Sequence, residues 1–227
     1  MRDLEKEFLD NTNKEKDVWR LFKILGEFTD VYDSLSTLPP AVSIFGSART
    51  NKKDKYYKTT YKLSKLLSKE GYAIITGGGG GIMEAGNKGA DISVGLKIKL
   101  PQEQKMNRFV KISLKFKYFF IRKVSFLKYS VAFIVMPGGF GTLDELSEAL
   151  CLKQTKMIGN FPIILFGKEY FEPLEEFFKQ MLEHQYIKSE DMNLYLITDS
   201  VEEAIEYIRR SRFDTNHIEL RRANDEK

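Results

Sequence analysis

Two rhythms of apolar residues alternate along the chain. Compact apolar runs at 41–45, 72–76, 93–100, 130–136, 161–166 and 195–198 predict strands buried on both faces. Between them, apolar residues recur three and four apart at about 55–69, 119–127, 143–153, 170–182 and 201–210, which predicts helices. Punctuation agrees with this division. Gly71 ends the first of these helices, Pro101 closes the third strand, and Pro173 fits a first helical turn. Ser200 with Glu203 three residues on reads as a capping box. Strands alternating with helices predict an α/β fold, a mostly parallel sheet with helices on both faces. Ligands of such sheets gather at the carboxyl ends of the strands, where the strand order switches.

The first part of the chain follows a helical rhythm only. In 1–36, Val18, Phe22, Leu25, Tyr32 and Leu35 form a stripe, with Trp19 and Phe28 beside it and Asp17 as a cap. This N-terminal helical extension is expected to pack its stripe on the domain or on a partner subunit. Leu38-Pro39-Pro40 breaks it. Residues 37–211 then form one domain, with no internal repeat, and 212–227 form a polar tail expected to be loosely docked.

Composition changes this picture little. The length of 227 residues suits one α/β domain, and a formal net charge of +4 does not itself call for nucleic acid. The single cysteine, Cys151, leaves no intrachain disulfide and no cysteine metal site, and is expected to be a small buried residue. The charged N-terminus is not a signal peptide, and no apolar run is long enough to span a bilayer. A cytoplasmic protein is expected. Residues 96–128 are strongly basic, with Lys97, Lys99, Lys105, Arg108, Lys111, Lys115, Lys117, Arg122, Lys123 and Lys128 against Glu103 alone. Phe116, Tyr118, Phe119, Phe120 and Phe126 are interleaved, which raises nucleic acid as a partner. The helical period of Phe119, Phe120, Lys123, Phe126 and Leu127 instead predicts a buried aromatic face and a basic wall for an anionic small molecule.

The candidate chemistry lies in three loops, each following a strand. Val135-Met136-Pro137-Gly138-Gly139-Phe140-Gly141-Thr142-Leu143-Asp144-Glu145 joins the fourth strand to a helix expected to start near Thr142. Small residues feeding a helix N-terminus make a phosphate site, with Thr142 adding a hydroxyl and Glu145 a carboxylate. Gly46-Ser47-Ala48-Arg49 is either a second ligand loop or an ordinary βα turn with a surface arginine. Five glycines, 77–81, precede Ile82-Met83-Glu84 and bring backbone close to a ligand. They fit neither the dinucleotide fingerprint nor the Walker pattern. Glu84 and Asn87 share a helix face, for capping or for ligand contact. His184 and His217 lack metal-ligand neighbours and are expected on the surface. Arg122 and Glu145 remain, with Glu84 as a third candidate. A carboxylate can stabilise the positive charge that builds on a ribosyl group as its bond to a base breaks, or activate water. The plain alternative for Glu145 is an acid favoured by the helix dipole.

Pro137-Gly138-Gly139-Phe140-Gly141-Thr142-Leu143-Asp144-Glu145 resembles the PGGxGTxxE motif of the Lonely Guy (LOG) family, and the resemblance covers about 41–210. Gly46-Ser47, the glycine run with Ile82-Met83, and Arg122-Lys123 stand in the family's order. The resemblance implies a Rossmann-like fold and hydrolysis of nucleoside 5'-monophosphates, AMP or cytokinin riboside monophosphates, to base and ribose 5-phosphate, with no metal or cofactor. It makes Arg122 and Glu145 catalytic. Gly46, Ser47, Gly78, Gly79, Gly80, Glu84, Lys123, Gly138, Gly139, Gly141 and Thr142 become substrate- and phosphate-binding. It implies a homodimer or larger assembly and neither nucleic-acid nor membrane partners. Three features depart from the compact plant-type pattern: Ala48-Arg49, Glu84 after Met83, and the longer N-terminal helix. The alternative is a nucleotide or molybdenum-cofactor carrier of similar fold that does not hydrolyse its ligand. A nicotinamide oxidoreductase lacks its fingerprint here, and a pyridoxal-phosphate decarboxylase lacks an assignable Schiff-base lysine.

Overall fold

The computed structural model describes residues 14–100 and 105–211, with side chains from Val18 onward. Pro101, Glu103, His217 and the polar tail lie outside the described residues. The elements are α1 (Lys14–Leu35), β1 (Ala41–Phe45), α2 (Lys55–Lys69), β2 (Ala73–Thr76), α3 (Ile82–Gly89), β3 (Ser93–Ile98) and β4 (Ile112–Phe116). There follow α4 (Phe119–Tyr129), β5 (Ser130–Val135), α5 (Phe140–Gln154), β6 (Ile163–Phe166), α6 (Lys168–Glu183), a 3-10 turn (Ser189–Asn193), β7 (Leu196–Thr198) and α7 (201–211). Seven strands form one sheet in the order β4-β3-β2-β1-β5-β6-β7, and every pairing is parallel. This is the Rossmann-like α/β architecture.

Strands covered on both faces need no polar alternation, and β1, β2 and β6 are buried at every position. Successive residues feed two cores. Phe45, Ile75, Phe133, Val135 and Leu165 face α1, α4, α5 and α6, whereas Ile44, Ile74, Ile134 and Ile164 face α2, α3 and α7. Phe133 stands at the centre of the first core, with its ring centroid 4.8 Å from Phe45 and 4.9 Å from Phe161.

Several expectations are corrected by packing. Most of the stripe read on α1 faces outward: Val18, Phe22, Leu25 and Tyr32 are exposed, as is Trp19 beside them, while Leu35 enters the first core as expected, joined there by Ile24 and Val31. The apolar residues run almost all around this helix, so periodicity alone does not select a face. Asp17 lies inside α1 rather than at its start. The basic stretch holds a strand, β4, whose Ile112, Leu114 and Phe116 turn inward while Ser113 and Lys115 are exposed. As the edge strand it carries Lys115 on its exposed side, a charge that discourages pairing with another chain. Phe119 and Phe120 are exposed, whereas Phe126 is buried as expected, together with Ile121 and Ser125. Cys151 is exposed. Helix α5 begins at Phe140, so Thr142 lies within its first turn. Pro173 sits in the second turn of α6, which starts two residues earlier than its apolar rhythm. At α7 the Ser200 Oγ accepts from the Glu203 N–H at 3.1 Å. The return arm is diverted: Thr198 donates to the Glu203 carboxylate and accepts from the Ser200 N–H.

Truncating Phe133 to Ala removes an aromatic ring from a core that the parallel strands hold rigid. Denaturant unfolding is expected to show a loss of about 3–5 kcal/mol, typical of buried Phe→Ala changes. A loss below about 1 kcal/mol contradicts the central place of Phe133.

Candidate active site

From β1 the chain builds outward to β4, then returns to place β5 on the other side of β1. The connection after β1 leads to α2 on one face of the sheet and the connection after β5 to α5 on the other, leaving a crevice between them. The two loops are tied by backbone. Met136 N–H donates to Phe45 O at 2.9 Å, Ser47 N–H to Pro137 O at 2.9 Å, and Ile82 N–H to Ser47 O at 3.0 Å. A cavity of about 440 Å³ opens above them, lined by Gly46, Ser47, Arg49, Gly77, Met83, Arg122 and the turn from Gly139 to Thr142.

Helix α5 begins against this cavity with Gly139 as its cap residue, no side chain capping it and no acid in its first turn. The Phe140 and Gly141 N–H groups precede any residue that could accept from them within the helix. The Thr142 N–H already donates to Gly139 O at 2.9 Å, so Thr142 offers its hydroxyl instead. Tyr170 Oη donates to Gly138 O at 2.5 Å and fixes the turn from α6. Free N–H groups, the positive end of the dipole and no internal carboxylate suit a bound phosphate.

The far wall belongs to α4. Arg122 Nε donates to Leu96 O at 2.8 Å, and its guanidinium lies 4.9 Å from the Phe126 ring centroid. Arg122 Nη1 stands 3.6 Å from Glu145 Oε1, with the two side chains 14% and 4% exposed. Glu145 thus sits behind Arg122, away from solvent. Burial pushes the Glu145 carboxyl up to about 7, against the pull of Arg122 and Lys123. Burial likewise draws the Arg122 guanidinium down, opposed by Glu145 and Asp144. Both groups are therefore less at ease as ions than in water, and the fold imposes their approach. The neighbouring Lys123 pairs with Asp144 at 2.9 Å and Glu148 at 3.1 Å, locking α4 to α5.

The glycine run divides by function. A Cβ on Gly77 would stand 2.8 Å from Arg122 Nη2, so this glycine makes room for the guanidinium. Gly81 has φ +59, and a Cβ there would collide with Ser47 O, so only glycine fits where the run enters α3. Gly78 lies beneath Met106, and Gly80 approaches Ala48 O. Behind them stands a polar network with no clear signature in the sequence. Asn107 donates from N–H to Gly78 O at 2.8 Å and from Nδ2 to Gly79 O and Asn87 Oδ1, both at 2.9 Å. Thr76 Oγ1 donates to Asn87 Oδ1 at 2.7 Å and accepts from the Gly78 N–H at 3.0 Å. Asn87 is thus buried as a brace, and its helix neighbour Glu84 pairs with Lys52 at 2.8 Å and accepts from Tyr57 at 3.3 Å. Of the binding candidates, Gly46, Ser47, Gly139, Gly141 and Thr142 meet at the cavity with Arg122, whereas Glu84 and Lys123 are held in ion pairs beside it. His184 stacks on Tyr186 at the surface, 5.6 Å between centroids. Among the described residues no cluster of His, Cys, Asp or Glu is suited to a metal, and no helix is long and apolar enough to cross a membrane.

Comparisons with known proteins bear on the family and the fold. A family model described as "Possible lysine decarboxylase" matches residues 79–208. The chain is 33% identical over 127 residues to an uncharacterized protein of Archaeoglobus fulgidus, covering 54% of this chain and 83% of the relative. It is 27% identical over 176 residues to a probable cytokinin riboside 5'-monophosphate phosphoribohydrolase of Oryza sativa subsp. japonica, covering 73% and 70%. Among solved structures, the molybdenum cofactor binding protein of Rippkaea orientalis superposes with a TM-score of 0.55 at 22% identity, over 77% of this chain and 98% of that one. That likeness shows a shared fold. The span matched by the family model carries Arg122, the Pro137–Glu145 turn and most of the glycine run, and its relatives bear the phosphoribohydrolase name: the chain belongs to the Lonely Guy family.

Proposed function

We propose that the protein hydrolyses the N-glycosidic bond of purine nucleoside 5'-monophosphates, AMP among them, releasing free base and ribose 5-phosphate. The observation that carries this reading is the buried Arg122–Glu145 pair set behind an uncapped helix N-terminus. A docking site for a phosphate alone needs no such acid. The 5'-phosphate sits on the N–H groups of Phe140 and Gly141 and the Thr142 hydroxyl. The ribose then lies across Arg122, whose planar fork orients it. A shift of the guanidinium toward the substrate uncovers Glu145.

As the bond from the ribosyl C1' to the base nitrogen breaks, its electron pair leaves with the base and positive charge grows on the sugar. The Glu145 carboxylate stabilises that charge and takes a proton from the water whose oxygen bonds to C1'. The departing base gains a proton, so one water is consumed for each base released. We further place the protein in the cytoplasm as a homodimer or larger assembly, without metal or cofactor. The exposed apolar residues of α1 support association.

The test is chromatography of AMP, adenosine and isopentenyl-adenosine monophosphate after incubation with the protein. Base from the monophosphates and none from adenosine supports the reading. Tight binding of a nucleotide or pterin with no turnover overturns it in favour of a carrier. Glu145→Gln is expected to lower kcat by about 100-fold or more, as loss of a catalytic acid–base group does, with little change in nucleotide affinity. Thr142→Ala is expected to act the other way, raising KM by about tenfold through one lost hydrogen bond to a charged group. An unchanged KM contradicts its phosphate role.

The raised carboxyl of Glu145 fixes the sign of two pH effects. Activity that needs the carboxylate is expected to rise with pH through about 7. Stability moves oppositely: the protonated form is favoured by the folded state, so its contribution is full below the ordinary 4.5 and is lost as pH climbs toward 7. Thermal melts at pH 5 and pH 8 are expected to show a larger fall for the wild type than for Glu145→Gln. Equal falls contradict the assignment.

A further inference from the structure

Helix α4 carries Arg122, yet its N-terminus lacks the usual devices. Tyr118, its cap residue, makes no side-chain cap, and the first turn contains no acid. Lys117 stands just before it, so the local charge has the unfavourable sign for the positive end of a helix dipole. The segment that leads into this helix is instead held from α1. Glu27, buried with 9% exposure, accepts from the Lys117 N–H with both carboxylate oxygens at 3.2 Å. Its position is unusual for an acid: it lies between Ile24 and Val31 on the face of α1 that enters the first core. A carboxylate in such a stripe costs desolvation unless it is matched by donors. Burial accordingly raises the Glu27 carboxyl above its usual range, although the backbone N–H groups of Lys117 and Tyr118 and the Lys117 charge pull the other way, with Asp30 adding to the rise.

The contact leads directly to the site. The Arg122 N–H donates to Tyr118 O at 3.5 Å, so the turn that sets the base of the Arg122 side chain closes on the residue next to the one Glu27 holds. At its other end Arg122 is fixed by Leu96 O and faces Glu145. We propose that Glu27 is a positioning residue: reaching across from the N-terminal helix, it anchors the segment that enters α4 and so sets the depth of the Arg122 guanidinium against Glu145 and the cavity. The extension is then part of the catalytic scaffold, and the reaction depends on a helix that does not touch the substrate. This inference rests on the proposed hydrolysis for its kinetic readout, and on backbone hydrogen bonding for a second readout that needs no turnover.

The experiment compares Glu27→Ala, which removes the acceptor, with Glu27→Gln, which keeps an oxygen able to accept from Lys117. In AMP hydrolysis, Glu27→Ala is expected to lower kcat about tenfold with KM within about twofold, because a small misplacement of a positioning group costs rate before it costs binding. Glu27→Gln is expected to recover activity to within about threefold of wild type. Amide hydrogen exchange of the intact chain is expected to quicken for Glu27→Ala in 117–123 while the strands β1 and β5 keep their protection. Unchanged exchange in 117–123, or faster exchange spread evenly over the sheet, overturns the proposal, as does Glu27→Ala with wild-type kcat. If the wild type itself shows no turnover, the proposed reaction fails, and the exchange pattern alone then decides whether Glu27 anchors the entry to α4.

Discussion

A guanidinium and a carboxylate held 3.6 Å apart, both largely out of water, are the constraint around which this molecule is arranged. Burial works against each charge, so neither group would rest there unless the surrounding framework fixed it. That framework is the parallel sheet. Its order places β1 beside β5, and the two loops leaving these strands are joined by backbone hydrogen bonds rather than by adaptable side chains. Lys123, next to Arg122, clamps α4 onto α5 through Asp144 and Glu148, the residues flanking Glu145 on its helix face. The fold itself therefore holds the pair together, and in the proposed reaction only the Arg122 guanidinium has to move.

The loops divide the remaining work. The turn before α5 leaves a helix N-terminus open to an anion, while the glycine run brings backbone close enough to make room for Arg122 and to pass under Ser47. Thr76, Asn87 and Asn107 hold that run from behind by hydrogen bonds to its backbone. The apolar cores on either face make this layout stiff, and the N-terminal helix shares one of them through Ile24, Val31 and Leu35. Residues distant from the cavity thus bear on its geometry through packed elements rather than through direct contact.

The fold was readable because two-sided burial leaves continuous apolar runs, as at Ala41–Phe45 and Ile163–Phe166. The turn around Gly138 and the pairing of Arg122 with Glu145 were legible for a different reason: small residues before a helix and a few charged groups have a narrow set of uses. What could not be read depended on partners distant in sequence. Strand β4 was hidden because its exposed Ser113 and Lys115 alternate with apolar residues between the flanking Lys111 and Lys117, a pattern that resembles a basic surface segment. The buried face of α1 is legible in its stripe only at Leu35, because apolar side chains surround that helix and tertiary contact alone selects Ile24 and Val31 over Val18, Phe22, Leu25 and Tyr32. Asn107 and Glu27 gave no local signal, since each acts on backbone groups that the sequence does not mark as needing a partner.

The proposed reaction requires one orientation of a bound nucleotide, with phosphate at the start of α5 and the glycosidic carbon toward Arg122 and Glu145. The most direct measurement of that claim is a crystal structure of the Glu145→Gln variant with AMP. The account predicts phosphate oxygens within hydrogen-bond reach of the Phe140 and Gly141 N–H groups and the Thr142 hydroxyl, with C1' facing residues 122 and 145. A phosphate bound elsewhere in the crevice, with the glycosidic bond directed away from that pair, would contradict it.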